Sequence, residues 1–141
     1  MTVKVKVESK IKQKTDKALD LYDMKTATYL NKVANMFRNH IMLGMQQTPK
    51  DGKSYIRGGK VHRASTKDNP PAIDTGRLVN SITMRPATAF SKTPTAKVST
   101  NVEYSQYLEL VYNRPFMSKE SKAFNKTRIY ANKIAKTIMV K

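Results

Sequence analysis

The chain has 141 residues, the size of one small domain with a modest core. It carries 27 Lys and Arg against 10 Asp and Glu, and this net charge of +17 favours anionic partners: nucleic acid, acidic protein surfaces or anionic lipid. The absence of cysteine excludes disulfides and thiol catalysis, and no apolar run approaches the ~20 residues that span a bilayer. The N-terminus lacks the apolar block of a signal peptide, so we expect a protein that is made and used inside a cell, or in an assembly built there.

The first predicted element is a short strand, because Val3, Val5 and Val7 alternate with charged residues. A long helix follows, with Ser9 as its N-cap and its end near Met45.

Apolar residues of this helix recur at spacings of three and four, which predicts one buried face. That face comprises Leu19, Tyr22, Leu30, Val33, Phe37 and Ile41. Helix signals weaken at residues 20–28, where a kink or break is an alternative. Near the helix end, Met36, Met42 and Met45 widen the stripe, and we interpret them as core packing.

Residues 48–73 lose the helical pattern and form a long basic segment. Its cations are Lys50, Lys53, Arg57, Lys60, Arg63 and Lys67. Tyr55, Ile56 and Val61 around the two glycines at 58 and 59 predict a small hairpin. We interpret the segment as a projecting basic arm that becomes ordered against a partner or DNA; a mobile surface loop is the alternative.

The central region predicts a short helix and two strands. Asp74 or Thr75 is placed to cap a helix that starts near Gly76 and carries Leu78, Val79 and Ile82 inward. Residues 83–90 and 95–102 predict antiparallel strands joined by a turn at 91–94, with Pro86 indicating an edge or a bulge.

The C-terminal region predicts a short helix or turn and then a closing helix. Tyr104, Tyr107, Leu108 and Val111 belong to the first, which ends before Pro115. Ser118 is predicted to cap the closing helix. Its inner stripe is predicted to comprise Phe124, Arg128, Ala131, Ile134 (or Ala135) and Ile138, and its outer face is basic.

No set of residues indicates catalysis. His40 and His62 lack carboxylates at metal-ligand spacing, and Gly58-Gly59-Lys60 lacks the first glycine and the Ser/Thr of a phosphate loop. Glu109, between two leucines, is better interpreted as a partner of Arg114 or of a neighbouring subunit's lysine than as a catalytic acid. We therefore expect no enzyme activity, metal or cofactor.

Three motifs in order resemble the tail-completion (neck, head–tail joining) proteins of long-tailed bacteriophages. The first is Pro70-Pro71-Ala72-Ile73-Asp74-Thr75-Gly76-Arg77-Leu78-Val79-Asn80-Ser81-Ile82, which matches Asp-Thr-Gly-x-Leu-x-x-Ser-Ile after a proline-rich approach. The others are Tyr104-Ser105-Gln106-Tyr107-Leu108-Glu109 and Arg114-Pro115-Phe116. The family usually has a glycine two residues after the glutamate, where this chain has Val111.

This resemblance implies an α+β subunit whose long N-terminal and C-terminal helices pack on a small antiparallel sheet. It also implies a ring, expected to be sixfold, that joins the DNA-filled head to the tail in a virion assembled in the host cytoplasm. Adjacent head-connector and tail rings would be its partners, with non-specific DNA contact in the channel and no membrane. The alternatives are a tail-tube terminator and a free-standing basic nucleic-acid-binding protein.

Overall fold

The computed structural model describes the backbone of residues 2–90 and 92–139, and the side chains of residues 14–90 and 92–138. The chain folds as α+β: long N-terminal and C-terminal helices with two small antiparallel sheets. In chain order, the elements are α1 (Thr2–Gln47), β1 (Ser54–Arg57), β2 (Lys60–Arg63), α2 (Arg77–Asn80), β3 (Thr83–Arg85), β4 (Lys97–Ser99), α3 (Ser105–Leu110) and α4 (Lys122–Met139).

Helix α1 begins at Thr2, so the predicted N-terminal strand and the predicted cap at Ser9 are both wrong. Three alternating valines could not specify a strand, because a strand needs a neighbour to satisfy its backbone groups and a helix does not. The helix also continues without a break through residues 20–28. There, the hydroxyls of Thr26 and Thr28 donate to the carbonyls four residues earlier, at 2.9 and 2.8 Å.

The buried face of α1 differs from the predicted stripe. Its buried side chains are Ala27, Ala34, Ile41 and Met45, whereas Leu19 and Tyr22 are more than half exposed. Leu30 and Val33 are half-buried, and Phe37 packs against the core from its edge. The predicted stripe was therefore correct only in its C-terminal half, where other elements cover it.

Helix α4 packs along α1, and its cap is Ser121 instead of the predicted Ser118. The Ser121 hydroxyl accepts the backbone N–H of Phe124 at 3.1 Å, an N-cap hydrogen bond. The ring of Phe124 meets that of Phe37 edge to face at 6.1 Å. Arg128, predicted to face inward, is exposed, and the buried positions are Ala123 and Thr127.

The strand pair β3–β4 lies against α1, with Met84 opposite Val98. Both strands are shorter than predicted, and β3 ends just before Pro86, which has no N–H for a ladder. The side-chain amide of Asn31 then holds the following backbone, since its Nδ2 donates to the Ala87 carbonyl at 3.1 Å and its Oδ1 accepts the Ala87 N–H at 2.6 Å.

The core lies where the two long helices meet α2 and the chain around residue 116. Its buried members are Ile41, Met45, Leu78, Val79, Ile82, Val102, Phe116 and Ala123. Phe116 and Ile82 are 2% and 1% exposed, so two of the three motifs contribute central side chains.

The segment 48–73 divides into a hairpin and a packed return. Strands β1 and β2 pair antiparallel around Gly58 and Gly59, which confirms the predicted hairpin, and both glycines adopt positive φ. Residues 64–73 instead lie on the body: Pro70 and Pro71 are buried, and the Asp68 N–H donates to the Asn113 carbonyl at 2.9 Å. The projecting part is thus only the hairpin.

Candidate functional site: a basic cleft beside the motif corner

The three motifs fold into one corner, which we call the motif corner (residues 74–82 and 104–118). Leu78 and Ile82 of the first motif pack in the same core as Phe116 of the third, and Leu108 of the second lies against it. The Ser81 hydroxyl donates to the Leu78 carbonyl at 2.6 Å and lies 2.6 Å from the Thr100 hydroxyl. Ser81 therefore links the end of α2 to the chain that follows β4.

Glu109 connects the second motif to the third through backbone hydrogen bonds. Its Oε1 accepts the N–H groups of Phe116, Met117 and Ser118 at 3.1, 2.5 and 3.1 Å, and Oε2 lies 3.2 Å from the last of these. Three convergent N–H donors bind a carboxylate because such charge-assisted bonds are strong. Glu109 thus holds the turn that follows the half-buried Pro115.

The predicted pairing of Glu109 with Arg114 is wrong. The Arg114 guanidinium instead lies over the ring of Tyr112, 5.8 Å from its centroid, and its Nε is buried without a hydrogen-bond partner. The turn between them places its left-handed residue at Asn113, with φ 48°, whereas Val111 has φ −98°. The turn therefore requires no glycine at position 111 in this chain.

Asp74 was predicted, with Thr75, as a cap of α2, but it instead holds the hairpin to the body. The residue at the cap of α2 is Gly76, in the left-handed region at φ 80°, and no side chain caps the helix. Thr75 offers only a 3.4 Å contact from its hydroxyl to the Arg77 N–H. Asp74 Oδ2 instead lies 2.8 Å from Arg57 Nη2 and accepts the Tyr55 hydroxyl at 3.0 Å.

His62 completes this latch, which we define as Asp74 with Tyr55, Arg57 and His62. The His62 Nδ1 lies 2.7 Å from Asp74 Oδ1 and must donate to it, because a carboxylate only accepts. The rings of His62 and Tyr55 stack with centroids 5.6 Å apart. Sequence reasoning missed this arrangement because an acid 12 to 19 residues from its partners leaves no local pattern.

The latch lowers the pKa of Asp74. Burial by itself would raise it, but the hydrogen bond from Tyr55 and the charges of Arg57 and His62 together outweigh burial and bring the pKa below 3.8. Burial and the Asp74 carboxylate raise the pKa of the Tyr55 hydroxyl above 10.0. Asp74 is therefore ionised, and the Tyr55 hydroxyl is a donor, at neutral pH.

A cleft of about 570 Å³ opens between the base of the hairpin and the motif corner. Its charged lining residues are Lys53, Arg57, Arg63, Arg77, Arg114 and one acid, Asp74. Arg57 forms a salt bridge with Asp74, and the other four cations form no salt bridge with any residue that the structure describes. The floor is apolar and includes Ile73, Leu78 and Leu108. Such a site suits an anionic group carried on a partly apolar partner.

The predicted basic-arm residues separate into two groups. Lys53, Arg57 and Arg63 line the cleft, whereas Lys50, Lys60 and Lys67 are exposed elsewhere. Arg77, which the sequence interpretation did not select, joins the first group. Its position in the cleft depends on how α2 packs, which no local pattern reports.

Large apolar side chains are exposed at several places, which include Tyr55, Ile56 and Val61 on the hairpin, and two further groups bear on the site. One is the outer side of α3 and the turn after it, with Tyr104, Tyr107, Leu110, Val111 and Tyr112. The other is the N-terminal half of α1, with Leu19, Leu21, Tyr22 and Met24. Tyr104 and Tyr107 therefore lie on the surface of the motif corner.

The remaining histidine, His40, lies on α1 with its Nδ1 2.9 Å from the Thr127 hydroxyl. Burial, with the nearby charge of Lys126, lowers its pKa. Among the described residues, no three His, Asp or Glu side chains gather as a metal-binding group, and no helix is long and apolar enough to cross a membrane. Comparison with protein-family models, curated proteins and solved structures finds no match to this chain.

Proposed function

We propose that this protein is a structural subunit of a phage neck or tail end, where copies form a ring between the DNA-filled head and the tail. The observation that carries the proposal is the convergence of the three motifs. Residues 74–82, 104–109 and 114–116 are separated along the chain, yet they share one core, and the Glu109 hydrogen bonds join the second motif to the third. Motifs that resemble one family and also build a single corner support a common structural role better than three unrelated matches.

The surface of the fold supports an assembled state. Helix α1 is about 69 Å long at 1.5 Å per residue, and the side chains from 14 to 22 are all exposed. A helix that extends so far from its domain gains little from packing within one chain. Together with the exposed apolar side chains of the motif corner, it suits a subunit whose surface neighbouring copies complete.

Images and masses of the purified protein test this function. We expect rings by negative-stain electron microscopy and a matching multiple of the subunit mass by sedimentation velocity. Mass spectrometry of purified virions should detect the protein at a few copies per particle. A monomer at every concentration, together with absence from virions, contradicts the proposal. The position of the gene among portal, capsid and tail genes is an independent check.

The competing function, nucleic-acid binding, is favoured by the exposed cations of the hairpin. Nearly every residue of β1 and β2 is exposed, and Arg57, Lys60 and Arg63 lie along it. This alternative predicts a monomer or dimer that binds DNA, with affinity falling steeply as salt rises because counterions are released. Salt-sensitive DNA binding without ring formation would favour it over the structural role.

A further inference from the structure

We propose that the basic cleft receives the acidic face of α1 from a second copy of this chain. This inference rests on the ring proposed above and names the surfaces that would hold neighbouring subunits together.

The cleft is lined by cations that have no acidic partner among the described residues. Lys53, Arg63 and Arg77 line it without a carboxylate partner among the described residues, and Arg114 lines it as well. Arginine forks suit carboxylates in particular. The occupant should therefore bring carboxylates to the cleft mouth.

The chain itself carries a matching acidic surface. Asp16, Asp20 and Asp23 are spaced by four and three residues, so they share one face of α1. It is the same face that further along buries Ala27 and Ala34 against the rest of the fold. Asp16 and Asp20 are exposed, Asp23 is half-buried, and no salt bridge engages the three within the part of the chain that the structure describes.

These two surfaces cannot meet within one molecule. Met45 lines the cleft, and along a continuous helix Asp20 lies about 37 Å from it at 1.5 Å per residue. Contact between them is therefore possible only between copies, with different surfaces of the two subunits in contact. Repeated contacts of this head-to-tail kind close into a ring or extend as a filament.

Apolar side chains flank both surfaces. Leu19 and Tyr22 lie beside the aspartates on α1, and Tyr107 and Val111 lie on the exposed side of the corner that borders the cleft. An apolar contact beside a charged one is the usual composition of a protein interface. Nucleic acid would use the cations but leave the apolar side chains exposed, so a second copy of the chain is the better occupant.

Charge reversal tests the contact. One variant carries Asp16→Lys, Asp20→Lys and Asp23→Lys, and the other carries Arg63→Glu and Arg77→Glu. Each exposed ion pair changes a dissociation constant by roughly 1.4- to 5-fold, and reversal adds repulsion. We therefore expect each variant alone to self-associate roughly 10- to 100-fold more weakly in sedimentation experiments. An equimolar mixture should recover assembly, because each variant then supplies the surface complementary to the other.

A matched control reverses three other exposed acids, as Asp51→Lys, Glu103→Lys and Glu120→Lys. Its net charge equals that of the α1 variant, so we expect it to assemble like the native chain. Circular dichroism and thermal unfolding verify that all variants are folded.

The outcomes separate this inference from the function. If native protein forms rings and the α1 variant forms them equally well, the cleft contact is wrong and the ring function stands. Failure of the mixture to recover assembly overturns the contact in the same way. A native chain that never self-associates also overturns it, while virion composition decides the function independently. If the cleft variant assembles normally but loses binding to a labelled DNA oligonucleotide, the occupant is nucleic acid and the inference is wrong.

Discussion

Removing the Glu109 carboxylate should destabilise the fold far more than removing an ordinary surface acid. The carboxylate accepts three backbone N–H groups, and one of them belongs to Phe116, which is buried in the core. Hydrogen bonds to a charged group contribute roughly 1.5–3 kcal/mol each, but they share one acceptor and water can replace part of the loss. We therefore expect Glu109→Ala to lower the free energy of unfolding by about 2–4 kcal/mol, a large fraction of the 5–15 kcal/mol typical of a domain.

The glutamine variant sharpens this prediction. Because Oε1 alone contacts all three donors, an amide oxygen in its place can keep the geometry while losing the charge. Glu109→Gln should cost about 1–2 kcal/mol, roughly half the alanine effect. Chemical denaturation monitored by circular dichroism measures both, with Glu103→Ala as the exposed control. An alanine variant within about 0.5 kcal/mol of the native protein would refute the reasoning, as that is the effect of an ordinary surface change.

Three further predictions concern the latch, the hairpin and two glycines. Asp74→Asn should release the latch, and hydrogen exchange of the hairpin amides should become roughly 5- to 30-fold faster, since about 1–2 kcal/mol of local stability is lost. Because folding lowers the pKa of Asp74, the stability that its carboxylate gives to the hairpin is fully present above pH 3.8. That stability is lost only as the pH falls through the lowered pKa of the folded protein. A hairpin that is already destabilised at pH 5 in the native protein would contradict this. Deletion of residues 52–63 should leave the thermal transition within a few degrees, because the Gly52 N–H donates to the Ala64 carbonyl at 2.8 Å and the deletion ends lie together. The same deletion should block the proposed head–tail joining, and an unfolded variant would show that the hairpin belongs to the core. Gly52→Ala should lower the free energy of unfolding by about 1–3 kcal/mol, because its Cβ would overlap the backbone of Ser65. Gly44→Ala in α1, whose Cβ would lie 3.7 Å from Pro70, should instead raise it by about 0.5–1 kcal/mol. Equal effects in chemical denaturation would contradict the packing.

Much of the fold could be predicted from local patterns. The apolar spacing of Phe37 and Ile41 correctly indicated a helix packed on its C-terminal half, and the glycine pair between Tyr55 and Val61 correctly indicated the hairpin. The pairing of β3 with β4 was also correct, although proline and the short ladder made both strands shorter. These features follow from interactions between residues close in sequence, which composition and periodicity report directly.

The errors share a cause, which is competition between local choices. Ser118 and Ser121 both precede α4, and only packing of Ala123 and Phe124 selects the second as the cap. Likewise, Val3 to Val7 show a strand period, but no neighbouring strand exists for them to pair with among the described residues. Local signals of similar strength are decided by what the rest of the chain places beside them.

The sequence by itself determined the fold class and the basic charge, and it singled out the segment that begins at Asp74. Only the tertiary structure decided what its residues do. Asp74 holds a hairpin instead of capping a helix, and Glu109 binds backbone N–H groups instead of Arg114. The physical reason is that a carboxylate has several acceptor sites and no sequence preference among donors. Its partners are whichever donors the packing of α2, α3 and β1 brings within about 3 Å.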